Sequence, residues 1–152
     1  MNVCAQKKAL MTQMNDNART KQVLTTQHGD VVYYVIGAPT ADRHVLYIHG
    51  LCSSSKSCSP PSSEELQSSV RWIVPDLLGH GESAMPATSD AYRMSSHTKI
   101  LREVLAKENV KRLVCIAHSM GGPIGVELCE RPEELVGITI EGMIYGEGEG
   151  KL

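Results

Sequence analysis

The stretch RLVCIAHSMGGPIGVELCERP, residues 112–132, contains the pattern that decides the fold. Its first part, RLVCIAHS, is a short apolar run of the kind that forms a buried strand. Its second part, SMGGPIGVELCERP, begins like a helix, so Ser119 falls where a buried strand turns directly into a helix. Such a turn brings strand and helix close together, and the small residues Ala117 and Gly121 on either side of the serine allow that approach.

This position gives Ser119 two possible roles. A helix that starts directly behind the serine points its N-terminal amide dipoles at the place where negative charge develops during acyl transfer. In that arrangement Ser119 is a nucleophile, and the backbone N–H of Met120 is one donor of an oxyanion hole. The alternative is a serine that only caps the helix, because serine is a favoured N-cap residue. The five-residue pattern alone leaves both interpretations open.

The rest of the chain alternates between predicted strands and helices. Apolar or alternating runs predict further strands at 28–37, 44–50, 70–76 and 135–142. Apolar residues at helical spacing predict a helix within 90–109. Strands separated by helices predict an α/β fold, with a mostly parallel sheet and helices on both faces.

Composition and charge exclude several classes of function. Lys and Arg number 15 and Asp and Glu number 17, a formal net charge of −2, so no basic surface for nucleic acid is expected. No apolar run approaches the roughly 20 residues of a membrane-spanning helix. The N-terminus lacks the apolar core of a signal peptide, so a cytoplasmic location is predicted. The five cysteines form no CxxC pair, so no metal is expected, and no cofactor is implied.

Two upstream motifs follow two other predicted strands, at the edge where open α/β sheets bind ligands. The motif YIHGLCSS places His49 and Gly50 directly after a strand, and the backbone N–H of Leu51 is a second candidate oxyanion donor. The motif PDLLGHGES places Asp76 after the next strand, followed by a Gly-His-Gly loop that contains His80.

The three motifs in this order resemble the α/β-hydrolase superfamily, in its branch of esterases, lipases and thioesterases. The resemblance covers roughly residues 28–145. It implies that Ser119 lies on the nucleophile elbow and that Leu51 and Met120 supply the oxyanion hole. A serine here is unlike the aspartate of epoxide hydrolases and dehalogenases in the same superfamily. Ala117 stands where glycine is more usual in the motif.

The remaining polar residues of the motifs have structural explanations. His49 is expected to order its loop and His80 to stabilise its turn, while Asp76 is expected to cap or hydrogen-bond the turn after its strand. His118 stands beside the nucleophile but points elsewhere, and it is a candidate for lining the pocket. No motif contains the other histidines, and surface or turn positions are expected for His28, His44 and His97.

The acid and base of a catalytic triad are not found after the serine. In this superfamily the chain order is Ser, then Asp or Glu, then His, and residues 120–152 contain no Asp and no His. Glu141 is a weak candidate for the acid, and a turn glutamate before Gly142 is the alternative interpretation. The resemblance therefore implies an incomplete α/β-hydrolase fold that lacks the cap and the last two strands.

These observations divide the chain into three parts. A polar N-terminal arm (1–22) precedes a truncated α/β-hydrolase core (23–145), and a flexible tail (146–152) follows it. The strand at 135–140 is expected to form an unpaired sheet edge, and such edges invite self-association.

Three hypotheses for function follow. In the first, the chain is a serine hydrolase that acts on small carboxylic esters or thioesters through Ser119. Its activity alone would be low or absent, because a serine without a hydrogen-bonded imidazole is a poor nucleophile. In the second, the chain is an inactive fragment of a longer hydrolase. In the third, it is a non-enzymatic module that binds a small apolar ligand.

Overall fold

The computed structural model describes residues 19–61 and 63–146 of the chain. Most of the predicted N-terminal arm, and the predicted flexible tail apart from Gly146, lie outside these residues. The expectation that the arm extends to residue 22 is wrong. Strand β1 spans Thr20–Thr26, and its whole length pairs with β2 (Gly29–Ile36) in an antiparallel hairpin.

Six strands and three α-helices lie within the described residues. The other strands are β3 (Arg43–Ile48), β4 (Val70–Pro75), β5 (Arg112–His118) and β6 (Thr139–Gly146). The helices are α1 (Glu64–Ser69), α2 (Met94–Lys107) and α3 (Gly121–Glu130). Short 3₁₀ segments lie at Ser55–Ser57, Ser89–Tyr92 and Pro132–Glu134.

The strands form one sheet in the order β1-β2-β4-β3-β5-β6. Strands β3 to β6 run parallel, and β2 joins them through an antiparallel pairing with β4. The predicted α/β fold with a mostly parallel sheet is confirmed. Because β3 pairs with β5 up to Ile48 and Ala117, the loops that follow these two strands leave the sheet side by side.

The main core lies between one face of the sheet and the helices α2 and α3. Alternate residues of the two central parallel strands, such as Ile48 on β3 and Cys115 on β5, are fully buried in it. Leu101 on α2 and Leu128 on α3 pack against them. A smaller cluster lies on the opposite face of the sheet. It contains Ile36 and Val74, each next in sequence to a residue of the main core, and the loop residue Cys58.

Two histidines that carry no sequence motif are buried, so the surface or turn positions predicted for them are wrong. His97 lies one turn before Ile100 and Leu101 on the inner face of α2 and is 6% exposed. His44 is buried for a different reason, because it lies on β3 between β4 and β5. His28 lies in the turn between β1 and β2, as predicted.

Strand β6 begins four residues later than the sequence predicts. Leu135 is 3% exposed because it packs into the core directly after the Pro132–Glu134 turn. Gly137 then has φ +76°, in the left-handed region, so the chain is still turning at these apolar residues. The ladder with β5 starts only at Thr139. The sheet edge predicted at 135–140 is therefore at Thr139–Gly146.

Candidate active site

Ser119 occupies a strained turn between β5 and α3. Its φ is +48°, in the left-handed region that residues with a side chain rarely adopt. Its N–H donates a hydrogen bond to the Gly146 carbonyl oxygen at 2.8 Å. Its own carbonyl oxygen accepts one from the N–H of Gly122, also at 2.8 Å. These bonds hold the serine on a sharp strand-to-helix turn, the geometry that a nucleophile elbow requires.

The residues around the serine are small because backbone segments approach each other closely. A Cβ atom on Gly121 would lie 2.5 Å from the carbonyl oxygen of Ile48 on the neighbouring strand. A Cβ atom on Gly50 would lie 3.1 Å from the Cβ of Ser119. Any larger side chain at either glycine would push the loop after β3 away from the turn. The two glycines therefore keep this loop against Ser119.

Two backbone N–H groups near the serine have no acceptor among the described residues: those of Leu51 and Met120. Met120 directly precedes α3 and has helical angles, φ −52° and ψ −32°, so its N–H lies at the positive end of the helix. Leu51 follows the close contact between Gly50 and the serine, and it is 66% exposed. Both N–H groups are available to a ligand oxygen.

His49 is fully buried and connects two loops of the site. Its Nε2 accepts a hydrogen bond from the N–H of Leu77 at 3.0 Å. Its Nδ1 therefore carries the proton, which it donates to the Gly50 carbonyl oxygen at 2.8 Å. Burial lowers the pKa of His49, which favours this neutral form. Both ring nitrogens are occupied, so the residue orders the loops and has no nitrogen left for proton transfer with Ser119.

The Asp76 carboxylate organises the turn after β4. It is 1% exposed, and its Oδ1 accepts a hydrogen bond from the N–H of Ser55 at 2.6 Å, while its Oδ2 accepts one from the N–H of Glu82 at 2.9 Å. The hydroxyl of Ser83 donates to its backbone carbonyl at 2.7 Å. A Cβ atom on Gly81 would lie only 2.1 Å from Oδ2, so only glycine fits in the Gly-His-Gly loop at this point.

The other two histidines of the motifs make no hydrogen bond to the hydroxyl of Ser119. His80 donates from Nδ1 to the Leu78 carbonyl oxygen at 3.1 Å, and its ring centroid is 5.0 Å from that of His49. His118 is exposed and lies against Gly50. Within the described residues, no histidine hydrogen-bonds to the hydroxyl of Ser119.

The protein-family model of the alpha/beta hydrolase fold matches residues 43–141, which include the loops and the turn described above. The chain belongs to this family.

Relatives in the alpha/beta hydrolase family include lipases and lysophospholipases by name. A probable lysophospholipase, BODYGUARD 3 of Arabidopsis thaliana, is 38% identical over 101 residues, which cover 64% of this chain and 20% of that protein. Lipase 1 of Psychrobacter immobilis is 33% identical over 104 residues, covering 68% of this chain and 32% of that protein. The chain thus spans about a third or less of the length of these relatives.

Solved structures of several hydrolases share the fold. A mutant of the N-acyl homoserine lactonase AidH, complexed with N-hexanoyl homoserine lactone, is 28% identical with a TM-score of 0.68. That match covers 83% of this chain and 44% of the lactonase. The thioesterase domain from the curacin biosynthetic pathway is 21% identical with a TM-score of 0.71, covering 85% of this chain and 46% of that domain. At this identity the thioesterase shows the fold alone.

Glu141, the candidate acid, lies far from the serine of this hydrolase-family chain. Its Oε1 accepts a hydrogen bond from Nε of Arg112 at 2.7 Å, and its Oε2 is 3.5 Å from Nε of Arg43. Arg112 begins β5, whereas Ser119 follows the end of the same strand, so the two sites are about 20 Å apart at roughly 3.3 Å per residue. The interpretation of Glu141 as the catalytic acid is therefore wrong, and it forms ion pairs at the opposite end of the sheet.

A cleft beside Met120 was not predicted from the sequence. It has a volume of about 270 Å³ and is lined by Tyr92, Met94, His97, Met120, Pro123 and Ile124. Burial, followed by the nearby His80, His49 and His28, lowers the pKa of His97 to about 4. The spacing of residue 97 from the apolar residues of α2 is the sequence signal that could have identified this buried histidine.

Two further findings concern the described residues only. None of their helices is both long and apolar enough to cross a membrane. Nor do three or more of their histidine, cysteine, aspartate or glutamate side chains come together in a group that could hold a metal ion.

Proposed function

We propose that the chain is the nucleophile-bearing part of a serine hydrolase that cleaves small carboxylic esters or thioesters through Ser119. The observation that carries this proposal is the left-handed backbone of the serine, φ +48°, at the turn from β5 to α3. A serine that only caps a helix has no need of this conformation, which costs of order 1–3 kcal/mol. Strain of this kind is concentrated at functional sites, where it presents a reactive side chain.

The chemistry follows from the groups around the serine. The Ser119 oxygen attacks the carbonyl carbon of the substrate, and the π electrons of the C=O bond move to the carbonyl oxygen. The hydroxyl proton passes to a solvent water, because no described histidine reaches the hydroxyl. The carbonyl oxygen becomes an oxyanion that accepts hydrogen bonds from the N–H groups of Leu51 and Met120. The C–O or C–S bond to the leaving group then breaks, and the leaving alcohol or thiol takes a proton. Water cleaves the acyl-serine ester and releases the carboxylic acid.

The activity of the chain alone is expected to be low or absent. His49 uses both ring nitrogens in loop contacts, and no described histidine reaches the serine hydroxyl. In serine hydrolases, removal of triad members leaves about 10³- to 10⁴-fold catalysis over water, which comes from the oxyanion hole and from binding. Because the N–H groups of Leu51 and Met120 are free to bind an oxyanion, we expect the chain to show at most this residual level of catalysis.

The class of substrate is supported by the names of the relatives. Lipase 1 and the probable lysophospholipase are named for reactions on carboxylic esters, and the lactonase was crystallised with an acyl homoserine lactone. Each of these ligands contains an acyl group bound to oxygen. We extend only this shared feature, a small carboxylic ester, to the chain, and the thioester stays a prediction from the sequence. The cytoplasmic location stays a prediction from the sequence.

The decisive experiment is hydrolysis of p-nitrophenyl butyrate by the 152-residue protein and by its Ser119→Ala variant. We expect a slow release of p-nitrophenol that is lost in the variant. Mass spectrometry of the intact protein should show a butyryl group on the wild type, located on Ser119 by peptide mapping. The variant Ser95→Ala serves as the control, because Ser95 is an exposed serine on α2.

Equal background rates in the wild type and in Ser119→Ala, with no acyl group on the protein, would contradict hydrolysis by this chain. That result would favour the second candidate function, a module that binds a small ligand without cleaving it. The absence of a histidine at the serine hydroxyl is the observation that favours this alternative. This alternative would be supported if a butyramide analogue of the ester bound equally to the wild type and to Ser119→Ala, while neither protein hydrolysed the ester.

A further inference from the structure

The cleft beside Met120 contains a polar side chain that the proposed mechanism does not use. His97 is 6% exposed, and the other residues that line the cleft are Tyr92, Met94, Met120, Pro123 and Ile124. Within the part of the chain that the structure describes, neither ring nitrogen of His97 has a hydrogen-bond partner. The ring nitrogens of His97 are not among the fully buried unpaired atoms of the described residues, so solvent in this largely apolar cleft reaches them. A ligand that displaces this solvent without offering a hydrogen bond leaves the imidazole unpaired.

The cleft is placed to receive part of a substrate that reacts at Ser119. Met120 lines it and also carries one of the two N–H groups proposed for the oxyanion hole, so the cleft begins directly beside the reacting carbonyl. Its volume of about 270 Å³ corresponds to about nine waters at about 30 Å³ each. A short acyl chain has a similar number of non-hydrogen atoms.

We propose that the cleft binds the acyl chain of the substrate and that His97 selects acyl chains that carry a hydroxyl group. The inference rests on the proposed function and adds the class of acyl group. A plain alkyl chain would fill the cleft, exclude water and leave the imidazole unpaired. A hydroxyl on the chain would pair with the imidazole and remove that penalty.

The protonation state of His97 favours a hydroxyl over other polar groups. The pKa of His97 is about 4, so the imidazole is neutral near pH 7 and offers one N–H donor and one acceptor nitrogen. A hydroxyl can pair with either nitrogen, whereas a carbonyl can pair only with the N–H. A carboxylate would find no positive charge on the ring. Burial is the largest cause of this low pKa, and the nearby His80, His49 and His28 lower the pKa further.

The test measures binding and needs no turnover. The probes are N-methylhexanamide and the N-methylamides of 3-, 4-, 5- and 6-hydroxyhexanoic acid, titrated into the 152-residue protein and followed by NMR. We expect at least one hydroxylated amide to bind about ten- to a hundredfold more tightly than the plain amide. Its binding should shift the methyl signals of Met120 and Ile124 and the ring signals of His97.

Two variants separate the role of His97 from a general effect on the fold. In His97→Leu, the preference for the hydroxylated amide should disappear, and the plain amide should bind at least as tightly as to the wild type. In His97→Gln, which keeps a donor and an acceptor, part of the preference should remain. If His97→Leu does not fold, the preference of the wild type and the ring signals of His97 still decide the question.

The proposal is overturned if the wild type binds all five amides equally or binds none of them. It is also overturned if His97→Leu keeps the full preference. Its failure is distinguishable from failure of the proposed hydrolysis, because amide binding requires neither an activated Ser119 nor a base. A chain that hydrolyses p-nitrophenyl butyrate but does not discriminate among the amides would retain the proposed function and lose this inference.

Discussion

The backbone of Ser119 carries a conformational cost that can be measured separately from catalysis. Its φ of +48° disfavours every residue with a Cβ atom, whereas glycine adopts it readily. We expect Ser119→Gly to be more stable than Ser119→Ala by about 1 kcal/mol, because both variants lose the hydroxyl and only one loses the strain. Urea unfolding of the two variants measures this difference.

Two controls accompany the comparison at Ser119. Both variants should be equally inactive toward p-nitrophenyl butyrate, so any difference in stability belongs to the backbone. If alanine at this position is as stable as glycine, the turn is not strained, and the main support for a nucleophile elbow is lost.

The buried, neutral His97 makes stability depend on pH. Its pKa is about 4 in the folded protein, against about 6.5 for an unperturbed histidine, so the unfolded chain binds more protons between these values. Stability is therefore complete above about pH 6.5 and falls as the pH drops toward 4. From pH 7 to pH 5, His97 should account for a loss of about 2 kcal/mol in the free energy of unfolding.

The measurement for His97 is urea unfolding at pH 7 and at pH 5. In His97→Leu the drop between the two pH values should be smaller than in the wild type by about 2 kcal/mol. Lys99→Gln, a change at an exposed neighbour on α2, is the control. Burial also lowers the pKa values of His44 and His49, so some drop should persist in the variant. Equal drops in wild type and His97→Leu would contradict the burial of the ring.

At the scale of secondary-structure elements, the contact between α3 and β3 determines the shape of the turn at Ser119. A Cβ atom on Gly121 would meet backbone carbonyl oxygens, that of Ile48 at 2.5 Å and that of His49 at 2.7 Å, which cannot move aside separately. We expect Gly121→Ala to destabilise the protein by about 2 kcal/mol or more, as in other overpacked cores. The observed melting temperature and the urea midpoint should both fall.

Gly125→Ala is the matched control on the same helix. Its added Cβ would meet only side-chain atoms, at 3.1 Å from the Cβ of Ala117 and from the Cε of Met143. Alanine also has the higher helix propensity, so the net loss at Gly125 should stay below about 1 kcal/mol. If both variants lose the same stability, the close contact with the β3 carbonyl oxygens does not shape the turn.

A regular spacing of apolar residues predicts an element from the sequence. An element boundary that depends on contacts with distant parts of the chain cannot be predicted in this way. The buried face of α2 follows from the spacing of Ile100, Leu101, Val104 and Leu105, and the structure confirms it. The sequence predicts the start of β6 four residues too early, because it counts the apolar Leu135 as part of the strand. It anchors a turn in the core, and no local pattern distinguishes such an anchor from the first residue of a strand.

At the scale of the whole molecule, the order of the motifs predicts which loops meet, but not which side chains contact each other. The placement of the loops after β3, β4 and β5 at one edge follows from a parallel sheet. In the folded chain, both ring nitrogens of His49 form hydrogen bonds to the backbone of these loops. The sequence could not predict these bonds, because they depend on distances that are set only when the chain folds. The same holds for Glu141, whose partners Arg112 and Arg43 come from the first residues of two other strands.

The outer edge of the sheet leads to the last prediction. Among the described residues, no strand pairs with β6 on the side away from β5, and Ile144 and Tyr145 are 58% and 49% exposed. An exposed apolar edge strand offers free backbone donors and acceptors to a second strand. We propose that the chain self-associates through β6, with the edges of two copies paired. Sedimentation velocity at increasing concentration should show a monomer–dimer equilibrium.

A charge on this edge should shift the equilibrium toward the monomer, because lysine on an edge strand opposes pairing with a second edge. We therefore expect Ile144→Lys to weaken association at least tenfold while the circular dichroism spectrum stays unchanged. Val136→Lys is the matched control, since Val136 is 89% exposed but precedes β6 in the turn after α3. If both lysine variants associate equally, a surface other than β6 is responsible. If the wild type is a monomer at all concentrations, this edge does not pair in solution.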